Sequence, residues 1–236
     1  MMHYVTCDLH GYPLADFQKL LSKAGFGKQD ELYVLGDVID RNGDGGIEPL
    51  RWMMHQPNVF FLLGNHEQFL LSCDFLFDEI TEENLANLDD DRFSILLNWM
   101  ENGAEPTLKS LKKLGQTDPQ EIERLLAYLE DAPLYDILKA NGKVYILCHA
   151  GLKNFSSEKD LPDYTPDELL WNRPKLTDCY YPNATVIFGH TPTMFYGEAY
   201  KGKMIRTPTW IDIDTGAAAG LSPMLLRLED EEAFYA

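Results

Sequence analysis

The stretch ELYVLGDVIDR, residues 31–41, decides how the rest of the chain is read. An apolar run enters Gly36, and Asp37, Asp40 and Arg41 follow in the turn that leaves it, the pattern of a strand ending in polar chemistry. The same pattern recurs four times. Residues 3–7 run into Asp8-Leu9-His10, and 59–63 into Gly64-Asn65-His66-Glu67. Residues 144–148 run into His149, and 184–188 into Gly189-His190-Thr191. Two later runs, 210–213 (entering Asp214-Thr215-Gly216) and 224–228, predict strands with no long helix between them, hence an antiparallel or mixed second sheet.

Helical patterns lie between the early strands. Residues 13–24 carry Leu14, Phe17, Leu20, Leu21 and Ala24 on one face. Helices are also predicted over 66–77, 92–115 and 119–131, the last with Pro119 near its start. Strands alternating with helices predict an α/β layered fold. The chain is read as one domain, 1–236, with a helical and acidic insert around 78–131. Within it, the strongly acidic residues 78–91 read as a solvated loop, with a substrate-selecting cap as the alternative. The run LEDEE, residues 228–232, reads as a solvated end.

Charge narrows the possible partners. A net charge of -18 repels nucleic acid and anionic membranes, so neither is an expected partner. It also repels phosphate esters, so a phosphate site needs concentrated local positive charge. The four cysteines form no C-x-x-C pair; Cys7 and Cys148 sit in apolar runs as buried thiols, which suits a reducing cytoplasm. The N-terminal MMHYVTCDLH has no signal-peptide pattern, and no apolar stretch is long enough to span a bilayer. A cytoplasmic location is therefore expected.

Asp8, His10, Asp37, Asn65, His149 and His190 supply carboxylate, imidazole and amide ligands from five strand ends. Hard divalent cations accept this mixture without thiolate, and a carboxylate at Asp37 has two oxygens with which to bridge two ions. Manganese is the expected metal, with iron or zinc as alternatives. His66, next to Asn65, is the expected general acid, and Asp40 the carboxylate that orients it. Arg41 and Arg173, together with Asn65, are expected to hold substrate phosphate. Asp-x-His alone is a weak signal, because most such pairs are surface turns, and most single histidines are structural; Gly-Asp-x-x-Asp-Arg is more specific, and Gly-Asn-His-Glu after an apolar strand more specific still. The conjunction decides: four of the six histidines fall at strand ends, whereas His3 and His55 lack that context and read as structural or surface residues.

On Asp8-x-His10, Gly36-Asp37-x-x-Asp40-Arg41, Gly64-Asn65-His66-Glu67, His149 and Gly189-His190, the chain resembles the calcineurin-like metallophosphoesterase superfamily. Within it the chain is most similar to the phosphoprotein phosphatase family of serine/threonine phosphatases. Gaps of roughly 27 and 28 residues, from His10 to Asp37 and from Asp37 to Asn65, match that family's spacing. The similarity extends through Trp171-x-Arg173 to Ile213-Asp214-Thr215-Gly216. It most resembles a compact bacterial and phage branch that includes bacterial protein phosphatases and symmetrical dinucleoside-tetraphosphate hydrolases.

The resemblance implies a four-layer α/β/β/α fold, a central β-sandwich of mixed sheets flanked by helices, with two metals at its edge. It also carries Arg41 and Arg173 over as phosphate ligands. The expected activity is that of a serine/threonine phosphatase, hydrolysing phosphomonoesters of a protein or small molecule by attack of metal-bound hydroxide, without a phosphoenzyme. The alternative is a symmetrical bis(5'-nucleosyl)-tetraphosphate hydrolase, which a base-binding pocket would distinguish; the sequence identifies none. A non-catalytic module on the same fold is disfavoured because ligands, acid and clamps are all present. Cys7 and Asn42 stand where the family commonly has Gly. Asn42 tolerates a left-handed backbone, and the glycine-rich 42–46 predicts a differently shaped loop beside Arg41.

Overall fold

Side chains that alternate with a period of two sort themselves onto the two faces of each strand, and here that alternation builds three apolar layers around two sheets. The computed structural model describes residues 1–77 and 90–236. One sheet has the order β10 (Glu232–Tyr235), β9 (Met224–Arg227), β1 (His3–Thr6), β2 (Glu31–Val34), β3 (Val59–Phe61). Its last three strands are parallel, and β9 and β10 are added antiparallel. The other has the order β4 (Tyr135–Ala140), β5 (Lys143–Cys148), β6 (Thr185–Phe188), β8 (Trp210–Asp212), β7 (Ile205–Arg206). Here β5, β6 and β8 are parallel, with antiparallel strands at both edges.

Val5, Tyr33 and Leu35 from the first sheet share a buried core with Leu147, Ile187 and Ile211 from the second. The opposite face of the first sheet, Tyr4, Leu32 and Val34, packs with side chains from six helices. These are α1 (Leu14–Lys23), α2 (Ile47–Met54), α3 (Asn65–Ser72), α4 (Asp90–Glu101), α5 (Glu105–Thr117) and α6 (Pro119–Glu130). Ile146, Val186 and Phe188 face outward beneath α7 (Pro166–Leu170) and the loops around it. The result is the expected α/β/β/α arrangement with a sandwich of two mixed sheets. Ile187 is fully buried between the sheets, so Ile187→Ala is expected to lower stability by about 2–5 kcal/mol, read from urea unfolding. A loss well under about 1 kcal/mol would contradict a dry, close-packed sandwich core.

Several elements depart from the sequence reading. The 92–115 helix breaks at Asn102-Gly103-Ala104 into α4 and α5. The 66–77 helix stops at Ser72 and continues as a 3-10 turn, Asp74–Phe77. Strand β4 was masked by its polar Asp136 and Lys139, yet Asn141 (φ 46°) and Gly142 (φ 79°) close a two-residue hairpin to β5. The LEDEE run is a turn leading into β10, not a free end. Of the two late strands, β8 joins the second sheet but β9 joins the first. Helix α2, absent from the sequence reading, starts where Asp44 accepts from the N–H groups of Gly46 and Glu48. The acidic segment 78–91 lies, up to residue 89, outside the described residues. Among the described residues no helix is long and apolar enough to cross a membrane.

Candidate metal centre

Parallel strands bring their carboxyl ends to one edge, so residues distant in sequence meet there. The register pairs Thr6 with Val34 and Val34 with Phe61, placing the turns after β1, β2 and β3 side by side. Beyond the strands, Asp8 N–H still donates to Gly36 O at 3.0 Å and Gly189 N–H to His149 O at 2.8 Å. Gly36 sits at φ 81°, and a Cβ there would lie 2.4 Å from the Gly64 backbone, so these two turns touch directly. The sheets are pinned to each other at this edge: His149 Nδ1 donates to Leu35 O at 2.7 Å, and His190 N–H donates to Asp8 Oδ2 at 2.9 Å.

All six expected metal ligands are brought together and buried. His149 Nε2 lies 3.5 Å from Asp37 Oδ2, 2.8 Å from Asn65 Oδ1 and 3.2 Å from His190 Nδ1; Asn65 Oδ1 is 2.8 Å from that same His190 nitrogen. On the other side of Asp37 Oδ2, His10 Nε2 is 3.6 Å away and is itself 3.8 Å from Asp8 Oδ1. Asp37 thus belongs to both groups, as a bridging carboxylate must. His66 Nε2 also comes within 3.8 Å of Asp37 Oδ2, which makes His10, Asp37 and His66 one possible ligand triad and Asp37, His149 and His190 another.

The donor chemistry fits divalent cations. His10 Nδ1 donates to Ile39 O at 3.0 Å and His149 Nδ1 to Leu35 O, which fixes the tautomers and leaves each Nε2 lone pair aimed at Asp37. Burial pushes the pKa of His10 down to about 3 and lowers those of His149 and His190, keeping the rings neutral. Burial and the neighbouring Asp214 and Asp37 carboxylates push Asp8 well above its usual range. Asp8 Oδ1, which faces His10 Nε2, is buried with no hydrogen-bond partner. Acceptors that converge without protons to share are costly when buried, and a cation relieves that cost.

Backbone strain concentrates at the same place. Nine non-glycine residues among those described have positive φ, and six of them are Asp8, His10, Asp37, Asp40, Arg41 and His190. Such conformations persist where the surroundings hold them, and they cluster at functional sites. Glu67, quoted in its motif but given no role from sequence, is one such support. Its carboxylate accepts from the N–H groups of Asp37, Val38 and Ile39 at 2.8, 2.9 and 3.2 Å. The sequence signal was only its place in the motif directly after Asn65-His66; that it is fully buried and needs several donors is seen in the structure. Asn42 does not use its tolerance of a left-handed backbone; Asp40 and Arg41 take that conformation, and Asn42 reaches toward the carbonyls of Ala217 and Ala218.

His66 and Asp40 form a close pair, Nδ1 to Oδ2 at 2.6 Å. Burial would lower the His66 pKa, but the charges of Asp37 and Asp40 outweigh it and the ring is shifted upward. Its other nitrogen, Nε2, lies 3.2 Å from Arg41 Nη2. A cavity of about 210 Å³ opens here, lined by Arg41 and Arg173 as well as His66, Asn65 and Asp37. Both expected phosphate clamps therefore face it. Trp171, Phe195 and Asp214 line it too; Trp171 and Asp214 stand in quoted motifs without a role, and Phe195 was not singled out from sequence. Asp214 is raised to about 7 by burial. Phe195 is 73% exposed at the mouth, so hydrophobic patterning could not have marked it.

Comparison with known proteins agrees with this geometry. The calcineurin-like phosphoesterase profile matches residues 3–194. A symmetrical bis(5'-nucleosyl)-tetraphosphatase from Wigglesworthia glossinidia brevipalpis is 33% identical over 115 residues, covering 46% of this chain and 40% of that protein. One from Chromobacterium violaceum is 34% identical over 106 residues, 42% of this chain and 37% of that protein. The chain thus spans about two fifths of the length of these two relatives. One from Serratia proteamaculans is 27% identical over an alignment of 285 positions, covering 99% of this chain and 93% of that protein.

Among solved structures, one assigned as a diadenosine tetraphosphatase superposes with a TM-score of 0.63 at 18% identity, covering 100% of this chain and 92% of that one. A protein serine/threonine phosphatase from Saccharomyces cerevisiae gives 0.57 at 15%, covering 100% and 80%. At such identities the likeness speaks for the fold alone. The profile match runs from β1 to beyond His190 and so contains all six residues of the donor cluster: the chain belongs to the calcineurin-like phosphoesterase family.

Proposed function

We propose that the chain is a two-metal phosphoesterase whose substrate is a bis(5'-nucleosyl)-tetraphosphate, cleaved symmetrically to two nucleoside diphosphates. The observation that carries the reaction class is a single cavity holding Asp37, His66, Arg41 and Arg173 beside the donor cluster. The substrate class is supported by three relatives bearing that activity in their names, which moves the reading from the expected protein phosphatase to its alternative. Asp8, His10 and Asp37 would hold one cation; Asp37, Asn65, His149 and His190 would hold the other. Cations held there would neutralise phosphoryl oxygens and lower the pKa of the attacking water.

The chain's own side chains supply the rest. Arg41 and Arg173 offer forked donors to the phosphate oxygens and orient the scissile phosphorus. Water adds to phosphorus and releases one proton to solvent, the P–O bond to the leaving group breaks, and that oxygen departs with its electron pair. His66 Nε2 gives it a proton while Nδ1–H stays on Asp40, which holds the ring's tautomer and balances its charge. Phe195, exposed at the mouth, offers a ring on which a nucleobase can stack.

Phe195→Ala is accordingly expected to raise KM for a dinucleoside tetraphosphate about tenfold, within the range of one lost base stack, and to leave turnover of p-nitrophenyl phosphate unchanged. Equal effects on both substrates, or none on either, would remove Phe195 from substrate binding.

A second reading, hydrolysis of phosphoserine or phosphothreonine, is favoured by the fully buried His66–Asp40 pair, since an alkoxide needs a proton more than a phosphate oxygen does. Dinucleoside tetraphosphate and a phosphoserine peptide, assayed side by side with Mn²⁺, decide between them. The proposal expects the higher kcat/KM on the nucleotide, with nucleoside diphosphate as product. Turnover of the peptide alone would overturn it.

A further inference from the structure

Both oxygens of the Asp40 carboxylate are engaged by residues from outside the strand-end motifs. Oδ2, which faces His66 Nδ1, also accepts from the Trp99 indole N–H at 2.6 Å. Oδ1 accepts from the Thr107 hydroxyl at 2.5 Å, and that same hydroxyl oxygen accepts from Asp40 N–H at 3.0 Å. Asp40, Trp99 and Thr107 are completely buried. No water therefore reaches this carboxylate to replace a lost partner, and its orientation depends on these two side chains.

Trp99 lies on α4 and Thr107 on α5, on either side of the break at Asn102-Gly103-Ala104. The break itself meets the next residue of the motif. Gly103 O accepts from Arg41 N–H at 2.9 Å, and at φ 102° a Cβ on Gly103 would come within 2.9 Å of Arg41 Cγ. Asp40 and Arg41 both have positive φ, a strained conformation that must be held from outside. The α4–α5 pair supplies three of those holds: an indole N–H, a hydroxyl and a carbonyl.

We propose that Trp99 and Thr107 are positioning residues for proton transfer: their side chains fix Asp40 on His66 and so govern expulsion of basic leaving groups, while cation and phosphate binding is left unaffected. The inference rests on the reading of His66 as general acid. In that reading water adds to phosphorus and releases one proton to solvent, the ester P–O bond breaks, the departing oxygen takes the proton of His66 Nε2, and the ring regains a proton from solvent after product leaves. A ring turned away from the departing oxygen fails at this step alone. The failure grows with the basicity of the leaving group.

The experiment compares phenyl phosphate, a basic leaving group, with 2,4-dinitrophenyl phosphate, which departs without a proton, using the full-length chain with Mn²⁺. Thr107→Val and Trp99→Phe are expected to lower kcat on phenyl phosphate about 10- to 100-fold, part of the general-acid contribution, with KM unchanged. On the dinitrophenyl ester the loss should be less than about threefold. Thr107→Ser, which keeps the hydroxyl, should restore the wild-type value. A second readout is independent of turnover: the strongly downfield imidazole proton of a short Nδ1–H to carboxylate bond should be present in the wild type. It should vanish in His66→Asn, and weaken or exchange faster in Thr107→Val and Trp99→Phe.

Equal losses on the two esters, or an unchanged downfield proton in both variants, would overturn the proposal. His66→Asn separates the two levels of failure. If it shows the leaving-group dependence and the Trp99 and Thr107 variants do not, the positioning role falls and the acid stands. If His66→Asn lacks the dependence as well, the acid assignment falls and takes the positioning role with it.

Discussion

Replacing Asp37 with asparagine is expected to lower turnover by about 10³-fold or more, as the loss of several kcal/mol of metal-dependent stabilisation requires. The reason is its place between the two ligand groups. Its Oδ2 lies 3.6 Å from His10 Nε2 and 3.5 Å from His149 Nε2, so one carboxylate serves both sides of the centre. An amide oxygen carries no charge, and holds two cations at once far less well than the charged oxygen of a carboxylate. Metal analysis of the variant should find fewer than two ions per chain. Two ions retained at wild-type affinity would contradict the bridging role. The fold should survive, because the neighbouring turn is held by Glu67 through three backbone N–H groups that the substitution does not touch.

His66→Asn is expected to cut kcat by roughly 10²–10⁴, the usual contribution of general acid catalysis, with little change in KM. Asparagine leaves nothing to protonate a departing oxygen, whereas Arg41 and Arg173 still hold phosphate. The loss should be larger for phosphoserine than for a phosphoanhydride, because alkoxide is the more basic leaving group. Unchanged kcat on both would refute the role. His66 also stands 3.8 Å from Asp37, close enough to be a ligand instead. A ligand role predicts loss of bound metal in the variant, and an acid role predicts full metal occupancy, so the same preparation distinguishes the two.

Much of this centre was legible in the chain because its ligands sit where strands end. A short apolar run closed by Gly-Asp or Gly-Asn-His announces both the strand and the residue it delivers, and six candidate ligands that the fold brings together could be named without coordinates. The supports were harder to see. Trp99 and Thr107 lie in helical sequence some 60 residues from Asp40, and nothing local distinguishes an indole that packs from one that also donates. Glu67 was in view as part of a motif, but its three backbone donors come from a turn 28–30 residues earlier. The missed strands have the same kind of cause. Strand β4 carries polar residues on an edge, and β10 follows an acidic turn, so their apolar alternation is weak while their pairing is strong.

Manganese added to chelator-stripped protein and followed by paramagnetic resonance tests the central claim most directly. Two ions per chain whose spectra are coupled through a shared ligand, with the coupling gone in Asp37→Asn, are the predicted result. A single ion, two magnetically independent ions, or full activity in the stripped protein would contradict it.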